Sequence, residues 1–170
     1  RVSNITYYFP TKDDLVNQLT EIEIVEQELI FQHMGQTAKD PIHEIMMIST
    51  KMRELMQNIN PVFFMDLQKF YPAAFKRFQQ FKMSCVYESV VSNIRRGIAI
   101  GVYRQDLDVE FVSKYRLTQI DMLMFGNYFS FEKISFIKTN KLLLDMFVYG
   151  ICTVKGHKLI NNYKKIKDDE

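Results

Sequence analysis

Between Tyr71 and Gly101, apolar or small residues recur every third or fourth position: Ala74, Phe75, Phe78, Phe81, Cys85, Val86, Ser89, Val90, Ile94, Gly97 and Ile98. A stripe of that period is one face of an α-helix, held for about eight turns, or ~45 Å at 1.5 Å per residue. A helix that long predicts the central strut of a domain. A second stripe, Leu142, Leu143, Met146, Phe147, Gly150, Ile151 and Val154, marks a final helix. Gly150, Thr153 and Gly156 keep one side of it narrow. Glycine costs ~1 kcal/mol against alanine inside a helix, so two of them imply close approach by another backbone.

Punctuation between the stripes agrees. Thr11 can N-cap a helix with Asp13 and Asp14 in its first turn, where the macrodipole favours them. Asp40-Pro41 and Asn60-Pro61 each read as a cap followed by proline at the first helical position. Asp108 can cap another helix, with Leu107 and Val112 as a hydrophobic staple, while Gly35 and Gly101 suit helix ends. The expected helices run over 2–9, 11–34, 41–58, 61–70, 72–100, 108–126 and 139–163. Residues 127–138 are a loop or a short helical turn, and no strand alternation occurs. The expected fold class is all-α.

Composition narrows the function. Few breakers (6 Gly, 4 Pro) and many long apolar side chains (10 Met, 14 Phe) suit helices. A net charge of +2 rules out a wholesale basic coat, so any nucleic-acid contact is local. Cys85 and Cys152 are far apart and form no CxxC pair, which favours two free thiols in a reducing, cytoplasmic setting. His33, His43 and His157 show no ligand spacing, so no metal or other cofactor is expected. The apolar run Leu142–Cys152 is interrupted by Asp145 and is too short to span a bilayer, so no membrane partner is expected. No Ser/His/Asp order, phosphate loop or HExxH appears, and the chain reads as a non-enzyme. Glu21, Glu23, Glu26 and Glu28 read as a solvated helix face.

Three segments carry a resemblance. Ser3-Asn4-Ile5-Thr6-Tyr7-Tyr8-Phe9, with Lys12 three positions on, resembles the recognition helix of the TetR/AcrR family of transcriptional regulators. Ser3 stands where that family often has glycine, and Tyr8 where it often has histidine. Gly97-x-x-x-Gly101-Val102-Tyr103-Arg104-x-Asp106 resembles the family's junction in the ligand-binding domain. Phe147-Val148-Tyr149-Gly150-Ile151-Cys152-Thr153-x-x-Gly156 is similar to its subunit-pairing last helix. The resemblance implies a tetracycline-repressor-like helical ligand-binding and dimerisation domain over 35–170. Residues 1–34 would be the tail of a helix-turn-helix DNA-binding domain and its connecting helix, with two bracing helices before Arg1.

That resemblance implies DNA-facing positions at Val2, Ser3, Asn4, Thr6, Tyr7, Tyr8 and Lys12, with Ile5 and Phe9 inward. An α-helix fits the major groove; Asn4 can read a base edge, and the hydroxyls and Lys12 can hold phosphates. The concentration of Met and Phe beside the breaks at Pro61 and Pro72 suggests an effector pocket at Phe63, Phe64, Phe78, Phe81, Met122 and Phe125. The stripe Leu143, Met146, Phe147, Gly150, Ile151 and Val154 suggests a homodimer seam, closing a four-helix bundle with 108–126. The expected function is a ligand-responsive repressor that releases double-stranded operator DNA when a small hydrophobic or amphipathic effector binds. The alternative is a helical protein-binding adaptor that never touches DNA.

Overall fold

The computed structural model describes residues 9–129 and 132–165, and the described residues are helical throughout apart from short connections. The helices are α1 (Lys12–Thr37), α2 (Pro41–Asn58), α3 (Val62–Phe70), α4 (Pro72–Phe81), α5 (Tyr87–Ala99), α6 (Val109–Phe125), α7 (Lys133–Ile151) and α8 (Val154–Lys164), with a π-helical segment Lys82–Val86 joining α4 to α5.

Capping follows the sequence closely. Thr11 and Asp14 form a reciprocal capping box at the start of α1, each accepting a backbone N–H of the other at 3.1 Å. Asp40 accepts from the His43 amide at 2.8 Å ahead of Pro41, and Asp108 from Phe111 at 3.0 Å. Asp106 pairs with Arg104 next to the cap that Asp108 forms. Gly35 does not end α1, which continues to Thr37. The boundary expected after residue 34 therefore falls inside one helix.

The strut exists but is not uniform. From Pro72 to Ala99 the chain stays helical, yet Lys82–Val86 widens to π geometry, with the Tyr87 amide reaching back to the Lys82 carbonyl. Gly101, at φ +79°, then turns the chain out of the helix in a conformation that favours glycine. Tyr103 folds back beneath the last turn, where it is fully buried. A β-carbon on Gly97 would lie 1.9 Å from its ring. The Tyr103 hydroxyl donates to Asn93 Oδ1 at 2.8 Å, and Asn93 Nδ2 donates to Pro41 O at 2.8 Å and Glu44 Oε2 at 2.9 Å. Arg96 completes this group with an ion pair to buried Glu44. One polar network thus joins α2, the strut and the junction after it.

The final helix expected over 139–163 is two helices. α7 begins earlier, at Lys133, and places Phe136 in the core. It stops at Ile151, because Cys152 and Thr153 are extended and pair with the junction: Arg104 N–H to Ile151 O and Thr153 N–H to Val102 O, each 3.0 Å. The Thr153 hydroxyl then caps α8 at the Gly156 amide. Gly156 is the close-approach glycine: an added β-carbon would meet Val102 O at 2.1 Å, so the neighbouring backbone belongs to the same chain. Gly150 faces open space.

Three apolar clusters make the core. Ile42, Ile94, Tyr103, Phe147, Ile151 and Ile160 form the first; Met56, Phe64, Leu123, Met124 and Phe136 the second; Ile24, Phe81 and Val86 the third. The glutamates of α1 are not simply a solvated face. Arg77 on α4 bridges Glu21 at 2.7 Å and Glu28 at 3.2 Å, holding α1 against α4, and Glu23 accepts from Gln27.

Candidate ligand-binding cavity

Where the three clusters meet they do not close on one another. A cavity of about 650 Å³ lies between α1, α2, α3, the strut, α6 and α7, and its walls are mainly apolar. This is within the usual range for a small-molecule site, roughly 300–1,000 Å³. Four of the expected residues, Phe63, Phe64, Phe78 and Phe81, line it. Met122 and Phe125 do not. At 100° per residue, the face of α6 that carries Arg116, Ile120, Leu123 and Met124 turns to the cavity. That leaves Phe125 packed edge-on against Phe75 and Phe78 on another side. Met52 and Met56 add adaptable surface from α2.

Helix α1 supplies an entire wall that the sequence pattern did not reveal. Val16, Leu19, Thr20, Glu23, Ile24, Gln27 and Phe31 all line the cavity. Of these, Leu19 is still 55% exposed, and so is Ile22 beside it. These seven positions share one face of the helix at 100° per residue, but Thr20, Glu23 and Gln27 among them interrupt its apolar stripe and hide it among the glutamates.

The polar groups of the lining divide into satisfied and unsatisfied. Lys82 is buried by the π segment and forms an ion pair with Asp121, so its charge is compensated. Asn93 is held by the network described above. Thr20 Oγ1 and Gln27 Oε1 are buried and have no hydrogen-bond partner among the described residues. Arg116 is the most exceptional. It makes one hydrogen bond, from Nη1 to Gln119 Oε1 at 3.2 Å, and its guanidinium lies 5.7 Å from the centre of the Phe147 ring. No carboxylate among the described residues is within ion-pair distance. Loss of water around it pulls its pKa down to about 10.

The expected DNA-facing residues Val2, Ser3, Asn4, Thr6, Tyr7 and Tyr8 lie outside the described residues, as does Ile5. Phe9 is half-buried, and Lys12 is exposed at the first turn of α1, its ammonium 6.0 Å from the centre of the Tyr71 ring.

The expected dimer seam is split by the fold. Phe147 and Ile151 are buried in the first core cluster, and Leu143 packs half-buried against the second, so these three serve their own chain. Met146 and Val154 remain 74% exposed, and Gly150 is open. Beside them, Leu142 on α7 and Phe111 and Tyr115 on α6 are also exposed, the last two stacked at 6.4 Å. The outward apolar face therefore belongs to α6 and α7 at a different helical phase from the seam read in the sequence.

Cys85 and Cys152 are both free. Burial pushes the Cys152 thiol up to about 12. No metal-binding cluster of His, Cys, Asp and Glu occurs among the described residues, and no helix there is long and apolar enough to cross a membrane. No family model, curated protein or solved structure matches the chain.

Proposed function

We propose that this chain is the effector-binding part of a TetR/AcrR-like transcriptional regulator, acting as a repressor that a small amphipathic ligand releases from DNA. The observation that carries the reading is the double role of α1. Its N-terminal end, at Lys12, directly follows the segment that resembles a recognition helix, and its middle, from Val16 to Phe31, is a wall of the cavity. A 26-residue helix is a rigid lever ~39 Å long at 1.5 Å per residue. Ligand in the cavity favours one position of that lever, and the position sets where the reader segment stands.

Two such readers in one homodimer would enter successive major grooves, so a change in their separation weakens both contacts together. The exposed face of Phe111, Tyr115, Leu142 and Met146 supports pairing through α6 and α7, since a contiguous apolar patch marks an interface. Such an interface would be isologous, each substitution acting twice.

The test is selection from a randomised duplex library with the protein in the form its gene encodes. Selected sites should converge on a two-fold operator whose affinity falls steeply with salt, through counterion release. Asn4→Ala should relax preference at one base position, and Lys12→Ala should weaken all sites alike. Failure of the library to converge refutes the regulator reading.

A further inference from the structure

We infer that the ligand of this cavity is an anionic amphiphile, an apolar chain ending in a carboxylate or phosphate that Arg116 receives. The inference rests on the reading of the cavity as an effector site, and it names the effector's charge.

The argument is one of uncompensated charge. Three ionisable residues among the described ones line the cavity: Glu23, Lys82 and Arg116. Lys82 is neutralised by Asp121, and Glu23, half-exposed like Arg116, has a carboxylate that already accepts from Gln27 at 2.9 Å. Arg116 has five N–H donors and, among the described residues, uses one, in a bond of 3.2 Å to a neutral amide. The Phe147 ring, with its centre 5.7 Å from the guanidinium carbon, offers a cation–π contact without supplying an anion. Arg116 as a whole is half-buried, and a guanidinium partly withdrawn from water into an apolar wall without gaining an anion costs free energy in the empty protein. The fall of its pKa to about 10 expresses that cost.

An anion placed in the plane of the guanidinium restores what burial removed. Carboxylates and phosphates match its fork with two parallel bonds, a geometry that a hydroxyl cannot reproduce. The remaining walls, with Phe64, Phe78, Phe81, Leu123 and Met124 among them, suit a hydrocarbon chain. A cationic amphiphile directed at Glu23 is the competing chemistry. It is disfavoured because its charge would enter the cavity that already holds Arg116.

The experiment compares matched ten-carbon probes by isothermal titration calorimetry: decanoate, decyl phosphate, decan-1-ol and decyltrimethylammonium, each below its aggregation concentration. Decanoate or decyl phosphate should bind at least about tenfold tighter than decanol, the scale of one charge-assisted hydrogen bond, and the tighter of the two identifies the head group. Arg116→Gln should remove that preference while leaving decanol binding within about twofold; Arg116→Lys should retain part of it. Circular dichroism melts establish that both variants are folded.

Equal binding of decanoate, decyl phosphate and decanol, or tightest binding of the cationic probe, overturns the anion assignment and leaves the cavity reading standing. Persistence of the anion preference in Arg116→Gln overturns the role of Arg116. Binding of none of the four probes overturns the cavity reading and this inference with it.

Discussion

Gly97→Ala sets two effects of opposite sign against each other. In an open helix the change would stabilise by ~1 kcal/mol, since alanine is the better helix former. Here the new β-carbon would lie 1.9, 2.3 and 2.7 Å from Cδ2, Cε2 and Cγ of Tyr103. That ring has nowhere to go: it is fully buried, its hydroxyl is tied to Asn93, and its backbone amide bonds the Gly97 carbonyl at 3.1 Å. Overpacking costs ~1–3 kcal/mol, and a displaced Tyr103 leaves Asn93 Oδ1 unsatisfied for ~1–3 kcal/mol more. After subtracting the helix gain, the variant should be less stable by about 1–5 kcal/mol, or roughly 2–20 °C in Tm for a domain of this size. Urea unfolding with an unchanged m-value is the assay. Gly35→Ala is the control, because its β-carbon meets only Glu44 Oε1, at an ordinary 3.7 Å. It should be neutral or gain up to ~1 kcal/mol. A Gly97→Ala protein as stable as the parent, or a matching response at both glycines, would refute the reasoning.

Arg116→Met should raise the Tm of the ligand-free protein, because it removes a charge without an ion-pair partner from an apolar cavity wall; a lowered Tm with the fold intact would show that Arg116 is structurally compensated. Met146→Asp, at an exposed position on α7, should shift the protein from dimer to monomer in light scattering without changing its melting as a monomer, and a parent that is already monomeric sinks the interface. Cys152 should stay protonated in the fold to about pH 12 against an ordinary value of 9, so its contribution is complete below pH 9 and is lost as pH rises towards 12. An aromatic disulfide reagent at pH 8 should therefore leave Cys152 unlabelled until denaturant is added, and prompt labelling in the native protein would contradict its burial.

Local signals carried most of the secondary structure. Thr11, Asp40 and Asp108 cap as their side-chain chemistry demands, and Gly101 and Tyr103 turn and refold as their spacing suggests. Long-range effects were not legible. The π segment leaves no breaker in the sequence, because it inserts width and not a stop. The split of the last helix depends on the junction strand pulling Cys152 and Thr153 out of register, which no property of those two residues announces. For the cavity, Phe63, Phe64, Phe78 and Phe81 could be found from the crowding of aromatics beside proline breaks. Arg116 could not: one arginine on an amphipathic helix reads as surface, and only the tertiary packing places it in the cavity wall with no carboxylate beside it among the described residues. The expected dimer seam divides for a related reason, since a stripe records which face is apolar and not whether its own chain already covers it: Phe147 and Ile151 are buried, whereas Met146 and Val154 are exposed.

The clasp between the junction and the helix break also has a kinetic meaning. Loop amides ordinarily exchange with solvent far sooner than those of a helix. The Arg104 and Thr153 amides are instead bonded across about fifty residues of sequence, beside buried Val102, Tyr103 and Cys152. They can open only when α7 and α8 part from the end of the strut. In deuterium these two non-helical sites would keep their protons nearly as long as the core itself, while the ends of the neighbouring helices lose theirs. A clock almost as slow as the core's would then run at an irregular point of the chain.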